Sequence, residues 1–446
     1  MKRTVQQGSL LDVSPNKTML SQPTTEKTMS RLEELIAELC PNGVEYIKLE
    51  EVCGFVTGFS FKSSLFRESG APICKTTNIT EGYVSFEDMD CFDLSDYKEK
   101  LDKFIIRKND IVIGMSGTIK IGINNSDNIC YLNQRVGKFI PNTNILNNKF
   151  LYYFLCNAVK LMCENVSGGS VINLSNNDIK KMSIPVPPLP VQEEIVRILD
   201  KFTELATELA TELAKRKKQY QYYRNTLVDF KEGLDKPSPI NELIEDLCPN
   251  SVEYIKLEEV CGFVTGFSFK SSLFKESGAP ICKTTNITEG YISFKDMDCF
   301  DLSDYKEKLD KFIIRKNDIV IGMSGTIKVG ISNSDNICYL NQRVGKFIPN
   351  TNILNNKFLY YFLCNTVKLM YENVSGGSVI NLSNNDIKKM SIPVPPLPIQ
   401  EEIVRILDRF DALCNDLTSG LPAEIEARKK QYEYYRDKLL TFKEAV

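Results

Sequence analysis

The sequence predicts an α+β chain: two mixed α/β globules separated by long helices packed as an antiparallel coiled coil, pseudo-two-fold symmetric. Three observations carry this. Residues 44–202 recur almost letter for letter as 252–410, shifted by 208. Within each copy, short strand-like runs alternate with turn residues. Each copy then closes on a proline-rich stretch and a long run with helical apolar spacing.

The two copies differ at nine positions: Arg67/Lys275, Val84/Ile292, Glu87/Lys295, Ile121/Val329, Asn124/Ser332, Ala158/Thr366, Cys163/Tyr371, Val191/Ile399 and Lys201/Arg409. Eight are mild. Glu87/Lys295 reverses a charge, which a solvated position accepts most readily. Duplicate modules present duplicate surfaces, and such a pair suits a target with its own two-fold symmetry, such as inverted half-sites in duplex DNA.

Along the first copy, Glu33–Leu39 reads as a short amphipathic helix stopped by Cys40-Pro41-Asn42-Gly43. Strand-like runs follow at Tyr46–Leu49, Ala71–Cys74, Phe104–Ile106, Ile111–Met115 and Asn128–Leu132. Residues Asn147–Asn165 have helical spacing, and Ser175 with Asp178 three positions on forms a capping box for another short helix. Pro185–Pro190 (PVPPLP) is either a stiff connector into the next helix or a docking peptide for an SH3-like partner.

From Val191 to about Phe230 the chain reads as helix. Ile195, Ile198, Phe202, Leu205 and Leu209 step by three and four, the seam of a coiled coil. Thr203–Ala214 is Thr-Glu-Leu-Ala three times over, a period of four that inserts a stutter. The second copy's helix has a middle four residues longer, interrupted by Ser419-Gly420-Leu421-Pro422. Both helices end in one cassette, Lys217-Lys218-Gln219-Tyr220 and Lys429-Lys430-Gln431-Tyr432, followed by Tyr222/Tyr223 and Tyr434/Tyr435. The expected division is 1–30, a disordered extension with Met29 as an alternative start; globules at 31–189 and 237–397; and helices at 190–236 and 398–446.

With 446 residues and 42% hydrophobic content, the chain can bury at least two cores. No apolar run reaches the roughly 18–20 residues of a membrane span. Fourteen cysteines occur without a Cys-x-x-Cys pair, the pattern of buried reduced thiols in a cytoplasmic protein rather than of zinc sites. Histidine is absent, which excludes Ser-His, Cys-His and His-metal mechanisms. A net charge of −3 argues against indiscriminate nucleic-acid binding, yet the strand-and-loop part concentrates Lys98, Lys100, Lys103, Arg107, Lys108, Lys120, Arg135 and Lys138, leaving room for a basic face.

The segments NLSNNDIKKMSIPVPPLPVQEEIVRILD, NDIVIGMSGT, NQR and ARKKQYEYYRDKLL resemble the specificity subunits of type I restriction-modification systems. The likeness runs from Met29 to Val446, in duplicate and in register. It implies two target recognition domains, each reading half of a split DNA sequence. It also implies helices that act as spacer and dock for methyltransferase (M) subunits, two of them, with restriction-translocation (R) subunits added outside. Family members normally carry two unlike recognition domains; the near-identity here implies a palindromic target instead.

Readers of DNA need donors and acceptors on exposed loops with cations beside them. Four stretches per globule qualify: Gly58–Ser64, with Lys62 and Ser63; Lys75, Thr76 and Thr77; Ser116, Gly117, Thr118 and Lys120; and Asn133, Gln134 and Arg135. Their second-copy equivalents are Lys270 and Ser271; Lys283, Thr284 and Thr285; Ser324, Gly325, Thr326 and Lys328; and Gln342 and Arg343. Ser167-Gly168-Gly169-Ser170 is a weaker fifth. Each also has a plain reading as a turn or brace. Partner docking is expected at Lys217, Tyr220 and Tyr223 and at Lys429, Tyr432 and Tyr435, with aromatic anchors as hot spots. The sequence shows neither an Asp/Asn-Pro-Pro-Tyr/Phe motif nor a Walker loop, so no catalysis and no cofactor is expected. The rival readings are a methyltransferase or nuclease with drifted motifs and a coiled-coil scaffold without DNA readout.

Overall fold

The computed structural model describes residues 23–80, 82–164, 172–230, 238–288, 290–372, 381–416 and 418–445. They form two compact units, residues 23–210 with 424–445, and residues 211–423. The fold is α+β, and each unit is a mixed α/β globule with helical segments against it.

In the first unit, helix α1 (Pro23–Leu39) spans 17 residues. It starts well before the expected Glu33, on a proline that suits a helix's first turn. Strands β1 (Tyr46–Lys48), β2 (Cys53–Thr57), β3 (Ala71–Cys74), β4 (Gly82–Tyr83), β5 (Cys91–Phe92), β6 (Ile105–Ile106), β7 (Ile111–Gly114), β8 (Ser116–Gly117), β9 (Ile121–Ile123), β10 (Cys130–Leu132), β11 (Val136–Pro141), β12 (Ile172–Asn173) and β13 (Ser183–Pro185) follow. A five-stranded sheet has the order β2-β11-β7-β9-β4 and a four-stranded sheet the order β5-β3-β10-β6. All neighbours in them are antiparallel except β4 with β9 and β3 with β10.

Strand β7 explains the layering. Its side chains alternate: Ile111 and Ile113 enter one core with Phe139, Phe150 and Leu151, while Val112 enters another with Ile73, Phe92, Ile106 and Leu132. The five-stranded sheet is therefore buried on both faces. Helix α2 (Leu49–Val52) precedes β2, α3 (Asn148–Glu164) joins the first core, and α4 (Asn176–Lys180) is capped by Ser175, whose hydroxyl accepts from Asp178 N at 3.2 Å.

Sequence reading passes over β11, because Gly137 and Lys138 interrupt its apolar run. It also puts Lys138 on the basic face, and the structure corrects this. Lys138 is 7% exposed; its Nζ donates to the Ile105 carbonyl at 2.5 Å and pairs with Asp110 at 3.1 Å. A charge so buried is tolerated only with such partners.

Helix α5 (Leu189–Leu227) is 39 residues long, about 58 Å at 1.5 Å per residue. Its start is pinned by Gln192, which is fully buried. Gln192 Oε1 accepts from Asn147 N at 2.8 Å, and Nε2 donates to the carbonyls of Ile145 (2.8 Å) and Pro187 (2.7 Å). Pro185–Pro190 thus acts as a connector, held from inside. Of the seam residues, Ile195, Ile198, Phe202 and Leu209 are buried as the spacing predicts, and Leu205 is half-buried.

The second unit repeats both sheets in the same strand order. Its helices are α6 (Ser238–Leu247), α7 (Leu257–Val260), α8 (Asn356–Glu372), α9 (Asn384–Lys388) and α10 (Leu397–Asn415). At the expected interruption Asp416 accepts from the amides of Thr418 (2.7 Å) and Ser419 (3.3 Å). Helix α11 (Leu421–Leu439) then starts with Pro422 in its first turn.

The first unit is completed by a distant stretch of chain, the second by the stretch just ahead of its own globule. In the first, Leu439 and Leu440 lie in the core with Leu32 and Val44. There Val44 N donates to Lys443 O at 2.8 Å, and Tyr46 Oη donates to Phe442 O at 3.1 Å. In the second, Leu227 and Val228 share a core with Ile240, and Tyr254 Oη accepts from Phe230 N at 3.0 Å. No helix of the described residues is long and apolar enough to cross a membrane.

Candidate nucleic-acid interface

Four sequence stretches far apart in the chain meet at one turn. Asn133 N donates to Cys74 O (3.1 Å), which places the Lys75 segment beside it; Phe59 N donates to Leu132 O (2.9 Å); and Met115 N donates to Arg135 O (2.9 Å). Val136 N closes the turn on Asn133 O at 2.8 Å. Gly58 must be glycine: a Cβ there would lie 2.0 Å from the Asn133 carbonyl oxygen. The second unit repeats these bonds, from Asn341 to Cys282, Phe267 to Leu340 and Met323 to Arg343.

Around this turn Gln134 and Arg135 are exposed, as are Lys62, Ser63, Thr77, Gly117 and Thr118. Thr76, Ser116 and Lys120 are half-buried. The same classes hold for Gln342, Arg343, Lys270, Ser271, Thr285, Gly325 and Thr326, and for Thr284, Ser324 and Lys328. Among the described residues Lys62, Lys120 and Arg135 have no ion-pair partner, nor do Lys270, Lys328 and Arg343. Three uncompensated cations thus lie on the stretches that meet at this turn, together with amide and hydroxyl groups, the composition that phosphates and base edges call for. Gly117 has φ +77 and open space where a Cβ would stand, so its backbone is accessible to a ligand.

Lys75 is differently placed. Its Nζ pairs with Asp90 and lies 4.5 Å above the Phe66 ring, and Lys283 does the same with Asp298 and Phe274. Both lysines are half-buried and ion-paired, unlike Lys62, Lys120 and Arg135. Ser167-Gly168-Gly169-Ser170 lies outside the described residues. Sequence reasoning missed Asn133 as the hub. Its signal was the polar Asn-Gln-Arg turn between two apolar runs.

The thirteen cysteines described as to their side chains form no disulfide; eight are buried and five half-buried. A hydrogen bond with Cys130, and then burial, push the Cys74 thiol well up; burial pushes Cys53 up to about 12. Thiols so raised are unreactive near neutrality.

The helix cassettes require a correction. Tyr220 and Tyr223 are 9% and 6% exposed, and Tyr223 packs on Phe410 with ring centroids 5.3 Å apart. Tyr435 stacks on Phe202 at 5.4 Å, and Tyr432 lies against the same core with Arg436 over its ring at 5.7 Å. These rings close their own units and are not free anchors for another chain. The exposed aromatics of the cassettes are Tyr222 (57%) and Tyr434 (62%); Lys217 and Lys429 are exposed as well.

A duplicated α/β module with a polar, cation-bearing loop cluster, on a chain with long helices, is the construction of a modular DNA-specificity protein. The family model for the type I restriction modification DNA specificity domain matches residues 41–216 and again 249–427, and the chain belongs to this family. It is 35% identical over 303 residues to the EcoR124I/EcoR124II specificity subunit of Escherichia coli, covering 66% of this chain and 70% of that one. It is 26% identical over 344 residues to the MjaVIII specificity subunit of Methanocaldococcus jannaschii, covering 74% and 78%. A chain from a structure of complex assembly in a type I restriction-modification system shares the fold at TM-score 0.59 and 20% identity, covering 90% of this chain and 98% of that one. The protein is a DNA-specificity subunit of a type I restriction-modification system.

Proposed function

We propose that each unit reads one half of a bipartite DNA target through the loop cluster at Asn133 or Asn341, and that the two halves are inverted copies. The carrying observation is the convergence of four reading stretches on one turn, in duplicate and with unchanged residues. The near-identity of the copies supports the inversion, since equal surfaces suit a target with two-fold symmetry. Phe202 meets Tyr435 in one unit, and its counterpart Phe410 meets Tyr223, the counterpart of Tyr435, in the other.

The chain itself performs no chemistry in this reading. Two methyltransferase subunits dock on the exposed cassette faces around Tyr222 and Tyr434. They supply S-adenosylmethionine and extrude the target base. Restriction subunits join outside. The test is labelled S-adenosylmethionine with duplex DNA: this chain alone incorporates nothing, and the assembled complex methylates sequence-selectively. Incorporation by the chain alone would refute the non-catalytic role.

The net charge of −3 favours a second reading, a scaffold that binds only proteins. Sequence-selective, salt-dependent DNA binding by the assembled complex excludes it.

A further inference from the structure

We propose that the two readers grip the phosphate backbone unequally, the second unit adding a contact through Lys295 that Glu87 denies to the first. The inference rests on the DNA-reading role. Of the nine differences between copies, Glu87/Lys295 is the one that changes charge. Both side chains are exposed, and neither has a side-chain partner among the described residues.

The position is fixed in space. It lies in a turn whose next residue is left-handed, Asp88 at φ 51 and Asp296 at φ 56. The backbone amide of Glu87 donates to Ser85 Oγ at 3.3 Å, and that of Lys295 donates to Ser293 Oγ at 3.3 Å. Asn78, buried at the end of the Thr76–Asn78 turn, donates from Nδ2 to the Glu87 carbonyl at 3.3 Å. Its own carbonyl accepts from Ser85 N at 2.8 Å, and Asn286 accepts from Ser293 N at 2.9 Å. The charged turn is therefore seated directly against one of the stretches gathered at Asn133 or Asn341.

The local balance differs sharply. In the first unit the turn presents Glu87 and Asp88, while Asp90 is neutralised by Lys75. In the second it presents Lys295 and Asp296, while Asp298 is neutralised by Lys283. Two uncompensated negative charges face one of each sign. Charges act across roughly 8–10 Å at ordinary ionic strength, so a phosphate engaged at the loop cluster feels this turn. Peripheral charges act chiefly on encounter rate and salt dependence, so the second unit engages its half-site first.

The experiment uses the full chain assembled with its methyltransferase subunits and a duplex carrying the mapped methylation site. Affinity is measured against salt for wild type, Lys295→Glu, Glu87→Lys and the double exchange. Each residue already occurs in this turn in the other copy, so folding is not at issue. Lys295→Glu is expected to make the slope of log K against log salt shallower by about 1, and Glu87→Lys steeper by about 1, with the double exchange restoring wild type. Selective binding by wild type with slopes unmoved in both single variants overturns the proposal and leaves the reading role intact. A wild-type complex without selective binding removes the reading role, and the proposal with it.

Discussion

The ring of Phe202 stacks on that of Tyr435, centroids 5.4 Å apart and planes 21° from parallel, although the two residues lie in different halves of the sequence. The repeat of this contact by Phe410 and Tyr223 means that neither globule is closed by its own copy alone. Replacing Tyr223 or Tyr435 by alanine should cost about 3 kcal/mol at the buried Tyr223 and less at the half-buried Tyr435. Each substitution should destabilise one unit selectively. Denaturant unfolding with hydrogen exchange mapped on each unit measures this; equal loss in both units would contradict it.

The near-identity of the copies supplies an internal control at Asn124/Ser332. Asn124 is buried, donating from Nδ2 to Asn128 O at 2.9 Å and accepting from Ser126 N at 2.9 Å. Ser332 is 1% exposed, and its hydroxyl has no partner among the described residues. Ser332→Asn should restore both bonds and stabilise the second unit by about 1 kcal/mol. A denaturant midpoint that is unchanged or lower would count against this account of the site.

Arg135 and Arg343 are the exposed guanidinium groups of the two loop clusters. Arg135→Ala should weaken site-selective binding by about 1–3 kcal/mol if it reads a base edge, with an equal loss for Arg343→Ala. Lys75→Ala should act mainly on stability, since its ammonium is held by Asp90. Titrating the assembled complex with site-bearing and scrambled duplexes separates the two effects. Lys75→Ala that folds normally yet abolishes selectivity would reverse the assignment.

Stability should fall at both ends of the pH range. Hydrogen bonds from the Ser175 hydroxyl and then its amide hold Asp178 below the usual carboxylate range, and Ser383 does the same for Asp386. Depressed carboxyls stabilise above their unfolded value near 4, and that contribution is lost as pH falls through the folded values. Burial pushes Cys53 and Cys261 up to about 12, so their contribution is complete below the ordinary thiol value of 9.0 and lost as pH rises toward 12. Thermal melting from pH 3 to 11 should give a plateau between these limits. Rapid alkylation of Cys53 in the native protein at pH 8 would contradict the alkaline arm.

Much of this was legible in the residues. The letter-level repeat announced two equivalent units, and the steps Ile195, Ile198 and Phe202 announced a buried helical seam. The Ser175/Asp178 pair announced a capping box that the structure contains. All four loop stretches were marked by composition, but their meeting at Asn133 was not, because it depends on strand pairing between residues far apart in sequence. Strand β11 escaped notice since a charged residue in a core strand breaks the apolar pattern, and Asp110, its compensating partner, is distant in the chain. The cassette tyrosines looked like partner anchors because an amphipathic ring suits an interface and a core edge equally.

The central claim, that duplicate readers meet a mirrored site, is most directly tested by single-molecule sequencing of methylated bases in host DNA. Wild type should give one interrupted motif whose two arms are reverse complements. Deleting one Thr-Glu-Leu-Ala unit, about 6 Å of helix, should shorten the gap by one to two base pairs and leave the arms unchanged. A motif with unlike arms would contradict the account.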